Sequence, residues 1–190
     1  MSNYYTQATL NKARKDKFSL LLTLPDALKN VNKQYNRNNA NLNLNTLEFS
    51  IYGVVVPKNV IPPEDVRYAA GNIYVSSHNK PSYDPVSVNF TIDNEFNNYW
   101  VIHKWLDLLR TEANGYYEYP EQPNNIGLGQ YSTDFTVIAR DEYNKEIIKW
   151  IYKSAFPVGL GEINYSHRDS DEIETSFEFA FREIQTILLS

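Results

Sequence analysis

Alternating apolar and polar residues mark the most regular segments of the chain. Val86, Val88 and Phe90 alternate with serine and asparagine, which predicts a half-buried strand over residues 86–93. Residues 173–181 repeat this pattern, with charged groups such as Glu178 on the opposite side. One buried face specifies a unique register, because a slip of one residue would expose it. The aromatic side chains predicted to face the core in this last strand are Phe177, Phe179 and Phe181.

Other segments with the same period predict further strands. One spans residues 17–24, and another spans residues 47–56 with a bend at Gly53. A strand over residues 66–76 would complete a long hairpin whose tip, at residues 57–64, is stiffened by three prolines. Two more strands are predicted around residues 135–139 and 148–152, separated by a turn at 142–145, and Phe156 and Pro157 close the second.

One segment has helical rather than strand periodicity. Val101, Trp105 and Leu108 form an apolar stripe, which predicts a helix over residues 97–113 that Asn94 or Asn97 caps and Asn114 with Gly115 ends. The fold class is therefore mainly β (α+β), an antiparallel barrel or sandwich with one flanking helix and long loops. The predicted core contains Trp105, Phe90, Trp150, Phe177, Phe179 and Phe181.

Between these elements lie long polar segments within what we interpret as one domain over residues 1–190. Residues 1–16 form a polar N-terminal arm. Eight of the sixteen residues in 30–45 are asparagine, which favours a surface loop. Residues 114–130 are rich in tyrosine and proline and predict a second long loop.

Composition excludes several classes of function. The net charge of -5 and the pI near 5.2 argue against a surface that grips phosphates, although an acidic surface would let DNA slide past without adhering. The chain has no cysteine, and its three histidines lie far apart, so we expect no metal site and no cofactor. We find no secretory signal or membrane span, and expect a protein that stays in a cytoplasm or is built into a particle there.

No motif argues for catalysis. The two Gly-x-Gly sequences at Gly127 and Gly159 lack the rest of a nucleotide-binding fingerprint, and the acidic residues 169–174 lack the spacing of a calcium loop. We therefore predict no catalytic residues and no enzyme. The 15 tyrosines would stack on sugars or nucleic-acid bases, or supply contact area at protein interfaces, and the lack of basic residues around them favours protein interfaces.

Several local sequences resemble the tail tube family of contractile-tailed phages, which includes baseplate rings and is related to type six secretion tubes. The resemblance spans residues 13–185. It begins with Ala13-Arg14 and Phe18 and continues with residues 86–93 leading into the helix of Trp105. Its most specific part is C-terminal, and consists of residues 155–163, the acidic turn 169–172 and the closing strand 174–181.

The resemblance implies a structural virion protein of the tail, assembled in the host bacterial cytoplasm. In the family, hexameric rings form when subunits join their sheets, and rings stack through an extended hairpin, here residues 56–70. Its implied contact residues are Pro57, Val60, Ile61, Pro62 and Pro63. The implied partners are further copies of the chain and the tube, baseplate or hub, sheath and tape-measure proteins. Genomic DNA would pass through the channel without specific binding, and no membrane is involved.

Two other interpretations stay open. The loops at residues 30–45 and 114–130 are longer than a minimal tube subunit needs, which favours a ring that initiates the tube or belongs to the hub or baseplate. A carbohydrate-binding β-sandwich that uses the tyrosine-rich loops is a more distant alternative, and an unrecognised hydrolase is the remotest. A large ring or tube in electron micrographs would support a tail tube or hub ring. A monomer retained on a glycan column would instead support the carbohydrate-binding sandwich.

Overall fold

The fold is known from a computed structural model. It describes residues 12–25, 28, 48, 50–69, 71–78, 82–109, 112–113, 116–117, 131–168 and 170–189. The asparagine-rich loop and most of the arm and of the tyrosine-rich loop lie outside the described residues.

Two layers of antiparallel strands face each other across an aromatic core. Their strands are β1 (Phe18–Leu21), β2 (Ile51–Val54), β5 (Val86–Thr91), β8 (Thr133–Arg140), β9 (Glu146–Leu160), β10 (Glu174–Ala180) and β11 (Glu183–Leu188). Layer A consists, in spatial order, of β1, β8, the first part of β9 and β11, and layer B of the second part of β9, β10, β5 and β2. The predicted mainly β fold is confirmed, as an open sandwich rather than a closed barrel.

Strand β9 joins the layers because it bends sharply in its middle. Ser154 has a left-handed backbone with φ of 52°. The Asp134 carboxylate holds this bend, since it accepts the Ser154 N–H at 3.1 Å and the Lys153 ammonium at 2.5 Å. The expectation that Phe156 and Pro157 close the strand is therefore wrong, because the bend carries the chain into layer B, where both residues pair with β10.

The remaining elements whose bounds lie within the described residues are a helix and two hairpins. The helix α1 (Asn97–Leu109) ends earlier than predicted, because β6 (Glu112–Ala113) pairs with β7 (Tyr116–Tyr117) directly after it. Its cap is Asp93, rather than either predicted asparagine, and the Asp93 carboxylate accepts the backbone N–H groups of Asn97 and Asn98. The second hairpin consists of β3 (Pro63–Tyr68) and β4 (Gly71–Ser76).

The core is a cluster of aromatic rings supplied by both layers and by α1. Phe135 and Phe179 meet edge to face at 4.8 Å between ring centroids, and Tyr152 meets Phe179 at 5.2 Å. Trp105 packs on Phe135 and donates from its indole N–H to the Tyr131 carbonyl at 2.8 Å. Among the core residues named from the sequence, Trp105, Phe90, Phe177 and Phe179 are fully buried, whereas Trp150 and Phe181 are half-buried at its border.

Several strand predictions need correction, and the single strand expected over residues 66–76 falls instead within two strands, β3 and β4. The strand expected over residues 47–56 starts only at Ile51, because the described residues before it, Glu48 and Ser50, are helical. In that conformation the Glu48 carboxylate accepts the Leu22 N–H at 2.7 Å and the Ser50 hydroxyl accepts from Asn98. The strand β11 is absent from the sequence prediction, and it continues β10 along the same edge of β9 after a break near Arg182.

Candidate assembly surface

Exposed apolar side chains concentrate in one part of the molecule. Of the 16 exposed large hydrophobic residues in the described parts of the chain, ten lie between residues 52 and 75. A monomeric protein rarely leaves so many apolar side chains in water along one stretch of chain, so residues 52–75 are a candidate contact region. Its members are Tyr52, Val55, Val56, Val60, Ile61, Val66, Tyr68, Ile73, Tyr74 and Val75.

The β3–β4 hairpin carries half of this surface and has two unlike faces. The register pairs Val66 with Ile73, and Glu64 with Val75, so these side chains share one face with Tyr68. The other face carries Asp65, Arg67, Asn72 and Tyr74, and the Asn72 amide donates to the Asp65 carboxylate at 3.0 Å. Every residue of both strands is exposed. The hairpin therefore presents an apolar face that the described parts of its own chain leave uncovered.

The prolines lie at the base of the hairpin and not at its tip. The Pro62 carbonyl accepts the Ser77 hydroxyl at 2.6 Å and the Ser77 N–H at 3.4 Å, which ties the two strands together where they leave the body. The turn lies instead at Ala69, whose φ is 53°. The predicted proline-stiffened tip is thus wrong, because Pro63 occupies the first position of β3, where a missing N–H is tolerated.

A groove of about 530 Å³ lies beside the hairpin base. Its apolar lining includes Val55, Pro57, Val60, Tyr83 and Pro85. Ile61 and Pro62 connect Val60 of the groove to β3 along the chain, so one side of the groove and the apolar hairpin face belong to the same segment.

The contact residues named from the sequence all lie in this segment. Pro57 and Val60 line the groove, Ile61 is 59% exposed, Pro62 holds the base and Pro63 opens β3. The predicted boundary at residue 70 leaves out β4 and with it Ile73 and Val75. Their alternation with Asn72 and Tyr74 is the signal that could have extended the segment.

Within the residues that the structure describes, both layers also end in open edges. Layer A ends at β1 and β11, and layer B ends at β2 and at the second part of β9. An open edge presents unpaired backbone N–H and C=O groups and is a template for pairing with another chain. Because each layer has four antiparallel strands, its two edges run in opposite directions.

Other kinds of site are not apparent in the described residues. They contain no group of three or more side chains arranged to hold a metal ion. Across the parts of the chain that the structure describes, no helix has the length and apolar character needed to span a bilayer. The surface formed by the hairpin, the groove and the open edges is therefore the candidate functional site.

A comparison with protein-family models decides what kind of protein has this surface. The family described as phage tail tube protein matches residues 13–186. The chain belongs to the phage tail tube protein family. This membership identifies it as a structural tail protein, as the resemblance of its local sequences had suggested. None of the curated proteins compared with the chain matches it.

Solved structures share the fold of this tail tube family member. The tube-terminating cap of the anti-feeding prophage superposes with a TM-score of 0.61 at 10% identity, covering 96% of this chain and 95% of that one. A chain of the sheath–tube complex of an extracellular contractile injection system gives 0.61 at 9% identity, with 100% of both chains covered. The sheath/tube terminator of such a system gives 0.60 at 9% identity, covering 95% and 99%.

Proposed function

We propose that this protein is a tail tube subunit that forms rings, stacked into a tube around the channel through which DNA leaves the virion. The observation that carries the proposal is the uncovered apolar face of the β3–β4 hairpin. Apolar area left in water is unfavourable by about 25 cal/mol per Å², so a partner that covers this face is stabilised by doing so. In a tube built of repeated subunits, the nearest such partner is a second copy.

The contact that stacks the rings is the apolar hairpin face of one copy against a second copy. The hydrogen bonds from Ser77 to the Pro62 carbonyl limit the freedom of the hairpin base, and so do the neighbouring prolines. Docking therefore loses little conformational entropy. The groove beside the base offers the same second copy apolar side chains of matching character, including Val55 and Val60. Residues 56–70, expected to stack, therefore act together with β4.

Rings close through the open edges of the layers. Because the two edges of a layer run in opposite directions, copies arranged head to tail extend the antiparallel pairing from one subunit to the next. A head-to-tail contact that closes on itself gives cyclic symmetry and leaves no edge exposed. The expected ring is a hexamer.

The further partners are neighbouring tail proteins, namely sheath, tape-measure and baseplate or hub proteins. The fold similarity to a chain of a sheath–tube complex and to a baseplate assembly supports the sheath and baseplate proteins among them. Assembly takes place in the host bacterial cytoplasm, genomic DNA crosses the channel without specific binding, and no membrane is involved.

A specialised ring that initiates, caps or terminates the tube, or belongs to the hub, is the second candidate. The similarity to a tube-terminating cap and to a sheath/tube terminator, at TM-scores of 0.61 and 0.60, supports it as strongly as the similarity to the tube chain supports the first. The purified chain separates the two. A main tube subunit polymerises into long tubes, whereas an initiator or cap stops at a ring or a short stack of rings.

Substitutions on the two faces of one hairpin test the stacking contact. Val66→Asp with Ile73→Asp lowers the charge of the apolar face by two, and Arg67→Asp lowers the charge of the polar face by the same amount as a matched control. We expect the first variant to form rings that no longer stack, and the control to stack like the wild type, in negative-stain micrographs and sedimentation velocity. Normal stacks from the first variant, or a wild-type chain that stays monomeric, would contradict the proposal. Retention of that monomer on a glycan column would favour the carbohydrate-binding alternative.

A further inference from the structure

The bend of β9 contains one residue more than the strand opposite. The register of β9 against β8 shifts there, so that Lys153 and Ser154 together stand opposite Asp134. An extra residue of this kind is a β-bulge, which bends its strand and increases the local twist. A bulge residue with a left-handed backbone is usually glycine, because a side chain makes that conformation unfavourable. Ser154 has this conformation, with φ of 52°, and therefore needs a contact that holds it.

The Asp134 carboxylate contacts both residues of the bulge. Its Oδ1 accepts the Ser154 N–H at 3.1 Å, and its Oδ2 accepts the Lys153 ammonium at 2.5 Å. The side chains of Asp134 and Lys153 are 45% and 36% exposed, and an ion pair this open to water contributes little. The hydrogen bond to the Ser154 N–H acts on the backbone itself, and is therefore the contact that holds the bulge.

The strands on the other side of β9 break at the same position. β10 ends at Ala180, which pairs with Phe156, and β11 begins at Glu183, which pairs with Lys153. Across this break the Arg182 N–H donates to the Lys153 carbonyl at 3.0 Å. The bulge is therefore the place where layer A passes into layer B on both sides of β9.

The bulge determines the directions in which the open edges of the two layers point. Layer A contains the part of β9 before the bulge, and layer B contains the part after it. Because hydrogen-bonded strands move together, a change in the bend rotates one layer relative to the other. Neighbouring copies in a closed ring are related by one fixed rotation, which every contact between them must satisfy. Since the edges of both layers close the proposed ring, the angle between the layers selects that rotation and with it the number of copies.

We propose that Asp134 is a positioning residue for ring closure, and that the bulge it holds at Ser154 sets the number of copies in a ring. The proposal rests on the proposed function, since it requires rings. The Asp134 side chain lies on the outward face of layer A, whereas its neighbour Phe135 is fully buried in the core. Loss of the carboxylate therefore changes the bend without leaving a cavity in the core.

Two matched substitutions of Asp134 test whether its hydrogen bond to Ser154 decides the ring size. Asp134→Ala removes the acceptor, whereas Asp134→Asn keeps an oxygen acceptor at the same place and removes only the charge. The number of copies per ring is measured from end-on views in negative-stain micrographs and from the mass of intact rings in native mass spectrometry. We expect one ring size for the wild type and Asp134→Asn. Asp134→Ala should melt cooperatively but give a mixture of ring sizes and open arcs.

A substitution at the bulge itself separates the bend from the carboxylate. Glycine adopts a left-handed backbone at little cost, so Ser154→Gly makes the bulge less dependent on Asp134. We expect the double variant of Asp134→Ala with Ser154→Gly to give mainly rings of wild-type size. Lys153→Gln removes the ion pair and leaves the hydrogen bond to the Ser154 N–H, so it should give the wild-type ring size alone.

The outcomes distinguish this proposal from the proposed function. Uniform rings of wild-type size from Asp134→Ala would overturn the role of Asp134 while the tube role stands. Equally mixed rings from Asp134→Asn would also overturn it, because they would assign the effect to the charge and not to the bend. If Asp134→Ala alone does not fold, the double variant decides: rings of wild-type size support the proposal, and mixed sizes overturn it. A wild-type chain that forms no rings would overturn the proposed function, and this proposal with it.

Discussion

At the scale of single residues, one glycine is required by its neighbours. A Cβ at Gly161 would lie 2.8 Å from the Thr175 hydroxyl oxygen, and 3.0 and 3.2 Å from backbone atoms of Ser176. The Gly161 N–H also donates to the Ser176 carbonyl at 2.6 Å, so the chain cannot move away without loss of that hydrogen bond. We expect Gly161→Ala to lower the free energy of unfolding by about 1 to 3 kcal/mol, measured by urea denaturation.

A second glycine two residues away is the control. A Cβ at Gly159 would meet only the Glu178 side chain, at 3.7 and 3.8 Å, which is ordinary contact. Gly159→Ala should change the free energy of unfolding by no more than about 0.5 kcal/mol. Equal losses in the two variants would show that close approach to β10 is not what requires Gly161.

At the scale of elements, Trp105 joins α1 to the sandwich. It exposes 1% of its surface, packs edge to face on Phe135 and donates its indole N–H to the Tyr131 carbonyl. Trp105→Ala should lower the free energy of unfolding by about 3 to 5 kcal/mol, because it leaves a cavity and an unpaired carbonyl. The control is His103→Ala on the same helix, whose side chain is 52% exposed. Wild-type stability of Trp105→Ala would contradict the packing of α1 against the layers.

The strand β10 provides a second test at this scale. Phe179 is fully buried among Phe135 and Tyr152, whereas its neighbour Glu178 is exposed. Phe179→Asp should abolish folding, because an unpaired carboxylate in an aromatic core is strongly unfavourable. Glu178→Lys should keep the fold, as judged by circular dichroism and a cooperative thermal transition. A soluble, cooperatively melting Phe179→Asp protein would contradict this register.

At the scale of the whole molecule, the two layers and α1 share one core, and one continuous strand links the two layers. β9 belongs to both layers, and the core cluster contains Phe90 and Phe179 from layer B with Phe135 and Tyr152 from layer A. We therefore expect a single cooperative unfolding transition. Hydrogen exchange would show the same opening free energy for central amides of β5 and β8, and faster exchange in the exposed β3–β4 hairpin. Different opening free energies for β5 and β8 would show that the layers unfold separately.

Local sequence is sufficient for the elements whose pattern is set by one buried face. Residues 86–93 and 173–181 each alternate cleanly, and their strands appear as β5 and β10 with the predicted side chains inward. The helix containing Trp105 is predictable for the same reason. In each case burial on one side imposes a period of 2 or 3.6 residues, and this period is visible in consecutive residues of the sequence.

The assembly surface is only partly predictable. Three prolines and the valine and isoleucine near residue 60 indicate a contact segment, because no strand or helix pattern could bury them. The turn at Ala69 is not indicated, since alanine with a positive φ has no sequence signal. Without that turn, the prolines are the strongest turn signal in the segment, which is why the sequence places the tip there and excludes β4.

The sequence by itself determined the class of fold, the aromatic core and the resemblance to tail tube proteins, because these depend on residues close to one another along the chain. Tertiary structure alone decided the bend of β9 at Ser154, which depends on Asp134 twenty residues earlier. It also decided which charges share a face, since Glu174 and Glu178 stand without cations only because pairing places β5 and the second part of β9 beside β10. Such features follow from strand pairing between distant segments, which the local period of the sequence does not encode.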